Sequence, residues 1–199
     1  SIPTVIGELS LLTYLGFTVN NLNSTLPTEL FRLKNLEALD AGVCGLQGSI
    51  PPEIGSLESL QYLVLSKNRL IGTIPTEIGL LSNLGSFEAA ANSLTGSIPS
   101  EIGNLSFLGV LHGFANRIDS TIPSEIGLAT SLREIQLFQT QLSGPIPSEI
   151  ANLSYLQSLV IADTSLTGEV PEGTCELVSA NELDIVADCD KVTCCSGSS

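Results

Sequence analysis

"IPPEIGSLESLQYLVLSKNRLIGT", residues Ile50–Thr73, carries in one line the pattern that decides the fold. Its aliphatic residues include Ile54, Leu57, Leu60, Leu63, Leu65 and Leu70. Leu63 and Leu65 alternate with Tyr62, Val64 and Ser66, the period of two of a strand with one buried face. Asn68 follows three residues after Leu65, at a point where an inward side chain must satisfy backbone groups that no strand ladder reaches. Gly72 suits a tight corner, and Pro75 stiffens the turn after it.

The same phrase recurs on both sides of this line. Ile-Pro or its equivalent falls at Ile2, Leu26, Ile50, Ile74, Ile98, Ile122, Ile146 and Val170, always 24 residues apart, without an insertion or deletion. A fixed period of this size marks a solenoid, in which each coil buries its apolar face only against its neighbours. The asparagine slot holds Asn20, Cys44, Asn68, Asn92, Asn116, Thr140 and Thr164. Asn and Thr keep both a donor and an acceptor, whereas Cys44 keeps a weak donor and packs well. Glycine fills the corner at 48, 72, 96, 144 and 168, and Ser24 and Ser120 are the departures.

This pattern resembles the plant-type leucine-rich repeat over nearly the whole chain, with eight matches in phase. The resemblance implies a right-handed α/β solenoid of about eight 24-residue coils. It also implies a parallel sheet on the concave side, a second short strand near each Gly-x-Ile-Pro, and short 3₁₀ turns on the convex side. Plant receptor ectodomains and polygalacturonase-inhibiting proteins are built this way. Strands are expected near Tyr14, Leu39, Leu63, Phe87, Leu111, Ile135 and Leu159. Residues 1–169 read as repeats, with coils starting at 2, 26, 50, 74, 98, 122 and 146, and residues 170–199 as a Cys-rich cap. That tail is similar to secreted algal and diatom leucine-rich repeat proteins. Ser1-Ile2-Pro3 begins inside the phrase, so the chain reads as part of a longer one.

Composition agrees with a solenoid. Hydrophobic residues make up 43% of the chain and the mean hydropathy is +0.35, because every coil needs its own core aliphatics. No apolar run approaches the roughly 18 residues of a membrane span. Seven basic residues against 21 acidic give a net charge of −14, which argues against nucleic acid and anionic membrane as partners. Glu29, Glu53, Glu77, Glu101, Glu125 and Glu149 recur in one stripe, each expected in the first turn of a short helical segment where the dipole favours an acid. Thr28, Thr76, Ser100, Ser124 and Ser148 precede them and suit capping of that segment. A calcium ladder would need six to eight oxygens at one point, and one carboxylate per coil supplies too few.

Four cysteines, Cys175, Cys189, Cys194 and Cys195, crowd the tail where the repeat dissolves. A solenoid's last coil exposes an apolar edge that needs a cap, and disulfides are the usual staple in an oxidising compartment. Their spacing lacks the paired knuckles of a zinc site. A bond between the adjacent Cys194 and Cys195 is strained, which leaves Cys175 and Cys189 each joined to one of that pair. Cys44 reads as a buried free thiol. Three glycosylation triplets, at Asn23, Asn104 and Asn152, favour an extracellular or cell-surface chain, with Asn104 and Asn152 on the outer surface and Asn23 beside a tighter corner.

The inward side chains are committed to the core, so function falls to the outward strand positions. Phe114 and Phe138 share one column beside His112, Glu134 and Gln136, and are expected to be exposed there. Aromatics beside polar groups suit an interaction hot spot; stacking between adjacent coils is the structural alternative. Tyr14, Asp40, Tyr62 and Glu88 form a looser polar patch. His112, the single histidine, has Glu88 as its neighbour and no nucleophile in reach, which argues against catalysis. No cofactor is implied. The expected role is an extracellular recognition module that binds a protein, peptide or glycan on the concave sheet. A structural or adhesive surface protein is the alternative. Ice binding would require a regular column of identical residues, and the columns here vary.

Overall fold

The computed structural model describes residues 1–181, 183–188 and 192–193. Each coil opens on its proline. Pro3, Pro27, Pro51, Pro75, Pro99, Pro123 and Pro147 hold φ between −65° and −79°, and a five-residue 3₁₀ segment follows each. These segments are Thr4–Glu8, Thr28–Arg32, Pro52–Ser56, Thr76–Leu80, Ser100–Asn104, Ser124–Leu128 and Ser148–Asn152. The cap position is the proline itself, with no side-chain capping bond. Thr28, Thr76, Ser100, Ser124 and Ser148 are therefore not caps. They sit one residue inside the segment, and their hydroxyls donate to Oε2 of the following glutamate at 3.1–3.4 Å. The glutamates do occupy the first turn.

The chain then crosses to the concave side and forms three-residue strands at Tyr14–Gly16, Ala38–Asp40, Tyr62–Val64, Ser86–Glu88, Val110–His112, Glu134–Gln136, Ser158–Val160 and Asp184–Val186. These make one parallel eight-stranded sheet in chain order. Leu39, Leu63, Phe87, Leu111, Ile135 and Leu159, the middle residues of six successive strands, are buried. The register advances by 24 residues per strand, as in Leu111↔Ile135, until the last step, Leu159↔Ile185, which spans 26. The leucine-rich-repeat solenoid expected from the period is the observed fold, and one apolar core runs from Ile2 to Leu183.

A residue in left-handed conformation ends each concave segment. Val19, Val43, Lys67, Ala91, Ala115, Gln139 and Asp163 have φ between +52° and +59°. This kink delivers the asparagine slot to the interior. Asn68 Oδ1 accepts from the amides of Cys44 (3.0 Å) and Leu46 (2.9 Å) one coil back, while Nδ2 donates to the carbonyls of Ala41 and Leu65 (both 2.8 Å). Asn92 and Asn116 repeat the donor side and accept from one amide each, Leu70 N (3.0 Å) and Leu94 N (2.9 Å). The Thr140 and Thr164 hydroxyls donate to carbonyls of their own coil, Leu137 O (2.7 Å) and Ile161 O (2.9 Å).

A second ladder runs into the corner glycines, whose φ lies between +72° and +94°. It consists of a four-stranded sheet, Gln47–Gly48, Arg69–Gly72, Ser93–Gly96 and Arg117–Ile118, and a three-stranded sheet, Ser143–Pro145, Ser165–Glu169 and Val192–Thr193. The break falls where Ser120 replaces the corner glycine. Two backbone bonds still cross it, Gln141 N to Ile118 O (2.8 Å) and Ser143 N to Ser120 O (3.0 Å), but regular pairing stops. After the seventh 3₁₀ segment an α-helix, Glu172–Asn181, takes that place and packs on Ser148–Asn152. No helix among the described residues is long and apolar enough to cross a membrane.

Candidate functional site

On each concave strand the central side chain points into the core and its neighbours point out. The pleat therefore places Glu88, His112 and Gln136 side by side in one column, with Glu88↔His112 and His112↔Gln136 in register. Glu134, two residues before Gln136, reaches the imidazole from the adjoining column. His112 Nε2 lies 3.1 Å from Glu134 Oε2, and Nδ1 lies 3.9 Å from Glu88 Oε2. Ser86, itself buried, donates to Glu88 Oε1 at 3.1 Å and fixes that carboxylate. The imidazole is mostly covered, at 17% exposure, while the two carboxylates stay at 34% and 44%. Nε2–H can donate to Glu134, whereas Glu88 at 3.9 Å is too far for a hydrogen bond and acts on the ring only through its charge.

Phe114 and Phe138 follow at the exits of the same two strands. Their rings stack with centroids 4.4 Å apart and planes 9° from parallel, and His112 lies tilted beside Phe114 at 6.2 Å. The two rings are half-buried rather than exposed as expected, because each covers a face of the other. The result is a continuous strip across two coils: two carboxylates flanking an imidazole, an amide at Gln136, and an aromatic step.

The second patch is not assembled in the same way. Tyr14 and Tyr62 are 61% and 55% exposed, but Ala38 stands between them in register. Val64 likewise separates Asp40 from Glu88. The Tyr14 ring folds over Gly16, where a Cβ would meet its hydroxyl at 2.7 Å. Asp40 Oδ1 accepts from its own Gly42 amide at 3.3 Å. Glu88 therefore belongs with His112 and not with the tyrosines.

Cys44 is buried and free, and its thiol donates to Phe17 O (3.0 Å) and Gly42 O (3.2 Å). Burial pushes this thiol above its ordinary value, with Asp40's charge acting in the same direction and the hydrogen bond at Asn20 opposing. Cys175 is disulfide-bonded. Cys189, Cys194 and Cys195 lie outside the described residues. Asn23, Asn104 and Asn152 are all exposed; Asn23 adopts φ +44° and sets its Oδ1 against Gly45. One residue that sequence reading missed is Asp188. It stands 24 residues after Thr164 and accepts from the amides of Asp163 (3.0 Å) and Thr164 (3.2 Å), as the asparagines do. The period itself pointed there, but the dissolving repeat around it hid the match.

Comparison with known proteins places this geometry. The family model described as Leucine Rich Repeat matches residues 59–81. Among solved structures, the ectodomain of the plant membrane receptor kinase GASSHO1/SCHENGEN3 from Arabidopsis thaliana, in complex with CASPARIAN STRIP INTEGRITY FACTOR 2, is 35% identical with a TM-score of 0.89. That match covers 94% of this chain and 22% of the other. The Arabidopsis receptor kinase HAESA, in complex with the peptide hormone IDA and the co-receptor SERK1, is 30% identical with a TM-score of 0.86, covering 97% and 32%. A chain of the BIR3–SERK2 complex from Arabidopsis thaliana is 34% identical with a TM-score of 0.56, covering 65% and 67%. This chain thus spans only about a fifth to a third of the first two receptor chains. Comparison with curated proteins finds no match.

Proposed function

This chain belongs to the plant-type leucine-rich repeat proteins, and from that premise we propose that it is an extracellular recognition module whose concave sheet binds a peptide or protein segment. The observation that carries the reading is the strip of Glu88, His112, Glu134, Gln136, Phe114 and Phe138. It joins charge, an amide and an aromatic step on the concave surface, where the outward side chains are free of the core. Two similar solved structures, the GASSHO1/SCHENGEN3 ectodomain and the receptor kinase HAESA, are held in complexes with CASPARIAN STRIP INTEGRITY FACTOR 2 and with the peptide hormone IDA, which supports a peptide or protein partner. The chemistry narrows the partner further. Two carboxylates on a chain of net charge −14 favour a cationic group, and the stacked rings favour an apolar or aromatic residue beside it.

Selection of short random peptides displayed against the immobilised protein tests this directly. The recovered peptides should pair Lys or Arg with an apolar or aromatic residue. Phe114→Ser combined with Phe138→Ser should weaken their binding by about 2 kcal/mol or more, as loss of an aromatic anchor does. Unchanged affinity in a folded double mutant would move the site elsewhere. Lost stability with unchanged affinity would reduce the ring pair to a structural stack.

A further inference from the structure

The outer flank of the solenoid carries large apolar side chains in a regular arrangement. Leu80 and Leu128 end the segments Thr76–Leu80 and Ser124–Leu128 and are 65% and 63% exposed. Asn104 and Asn152 end the alternate segments, Ser100–Asn104 and Ser148–Asn152, and are also exposed. Four stacked coils therefore present Leu, Asn, Leu, Asn in one column. Each of these asparagines opens an Asn-Leu-Ser triplet whose leucine is buried and whose asparagine and serine face solvent. The residue three further on is aromatic, Phe107 in one coil and Tyr155 in the other, at 64% and 60% exposure. Backbone bonds from Leu108 N to Leu105 O (3.0 Å) and from Leu156 N to Leu153 O (2.9 Å) turn the chain there, keeping the aromatic close to its asparagine. In the five other coils that slot holds Leu11, Asn35, Ser59, Asn83 and Ser131, so the aromatics occur only in coils with this triplet. The third triplet lacks such a flank, because the residue three after Asn23 is the buried Leu26.

Leu80, Phe107, Leu128 and Tyr155 thus gather exposed apolar surface on one flank of adjoining coils, and such a patch marks a surface that something covers. The occupant is indicated by the asparagines interleaved with them, which stand in the acceptor triplet for N-linked glycan. We propose that Asn104 and Asn152 are glycosylated and that the first N-acetylglucosamine of each glycan lies over this flank. The sugar on Asn104 covers Leu80, Leu128 and Phe107, and the sugar on Asn152 covers Leu128 and the Tyr155 ring on the face away from Arg133, whose guanidinium carbon lies 5.7 Å from the ring centroid. A pyranose ring has an apolar C–H face to set on leucine and aromatic rings while its hydroxyls stay in water. Attachment joins asparagine Nδ2 to the anomeric carbon of a lipid-diphosphate-linked oligosaccharide. Nδ2 loses a proton, the bond from that carbon to the diphosphate oxygen breaks, and the lipid diphosphate leaves. The proposal rests on the extracellular reading above, since only a secreted chain meets that donor.

The test uses the full chain expressed through a eukaryotic secretory pathway and trimmed enzymatically to one N-acetylglucosamine per site. Intact mass should show sugar on Asn104 and Asn152, lost stepwise in Asn104→Gln and Asn152→Gln. Nuclear Overhauser cross-peaks should link the acetamide methyls to the Phe107 and Tyr155 rings, and Phe107→Ser should remove its own set while leaving the sugar attached. A secreted protein bare at both asparagines overturns the site. Sugars present without ring cross-peaks overturn the covering role. The Phe114→Ser/Phe138→Ser protein should keep every one of these signals, so failure of the concave-face reading is read separately.

Discussion

Asn116 shows how one side chain fastens two coils. It is buried, donates to Ala89 O (2.9 Å) and Gly113 O (3.0 Å), and accepts from Leu94 N at 2.9 Å, with Ala89 and Leu94 belonging to the preceding coil. Asn116→Ala strands these three backbone groups in the core at about 1 kcal/mol or more each, so a total loss of about 3 kcal/mol or more is expected in denaturant unfolding. Thr140 makes a single bond inside its own coil, and Thr140→Val should cost only about 1 kcal/mol. Equal losses would mean that the slot does not fasten coil to coil. The slot was legible in the sequence because its residue types recur at one phase. The left-handed residue before it was not. Val19, Val43, Lys67, Ala91, Ala115, Gln139 and Asp163 share no chemistry, so neighbouring structure sets that φ and residue preference does not.

At the scale of the element, coil spacing depends on the glycine near the end of the 3₁₀ segments. A Cβ on Gly55 would lie 2.7 Å from Glu77 O in the next coil, and neither backbone can yield. Phe31 occupies the equivalent position one coil earlier, and there the segments Thr28–Arg32 and Pro52–Ser56 pack less closely than the others. Gly55→Ala should therefore destabilise by about 1–3 kcal/mol, as overpacking does. Gly85→Ala should be close to neutral, because a Cβ there meets nothing nearer than Gln61 O at 3.6 Å. Thermal unfolding of the two variants checks the contrast, and equal shifts would contradict it. The concave strands fell where the period put them. Capping by Thr and Ser did not, because the preceding proline already fixes the entry and shifts each hydroxyl one residue inward, toward glutamate.

The whole molecule is a stack whose ends differ from its middle. The α-helix Glu172–Asn181 covers the last convex segment, and Asp184–Val186 adds an eighth strand after a 26-residue step. Residues 170–199 are proposed to close the core edge, with Cys175 and Cys189 each joined to Cys194 or Cys195. Non-reducing peptide mapping after alkylation of the native protein should find these links and leave Cys44 unmodified until the chain unfolds, since burial holds it as a thiol. A native protein in which Cys44 is readily alkylated, or Cys189 is free, would refute that arrangement. The concave columns could be written from the sequence, but the carboxylate–imidazole bridge and the ring stack depend on rotamers that no pattern encodes. The sequence sets Glu88 both beside His112 and in the tyrosine patch, and only the side-chain geometry decides between the two.

Recognition through this sheet is the central claim, and hydrogen–deuterium exchange of the protein with and without a selected basic-aromatic peptide tests it most directly. Added protection is expected in 110–115 and 134–139, where the backbone passes beneath His112, Phe114 and Phe138, with the 3₁₀ segments unchanged. Protection confined to the convex segments or to the cap would contradict it.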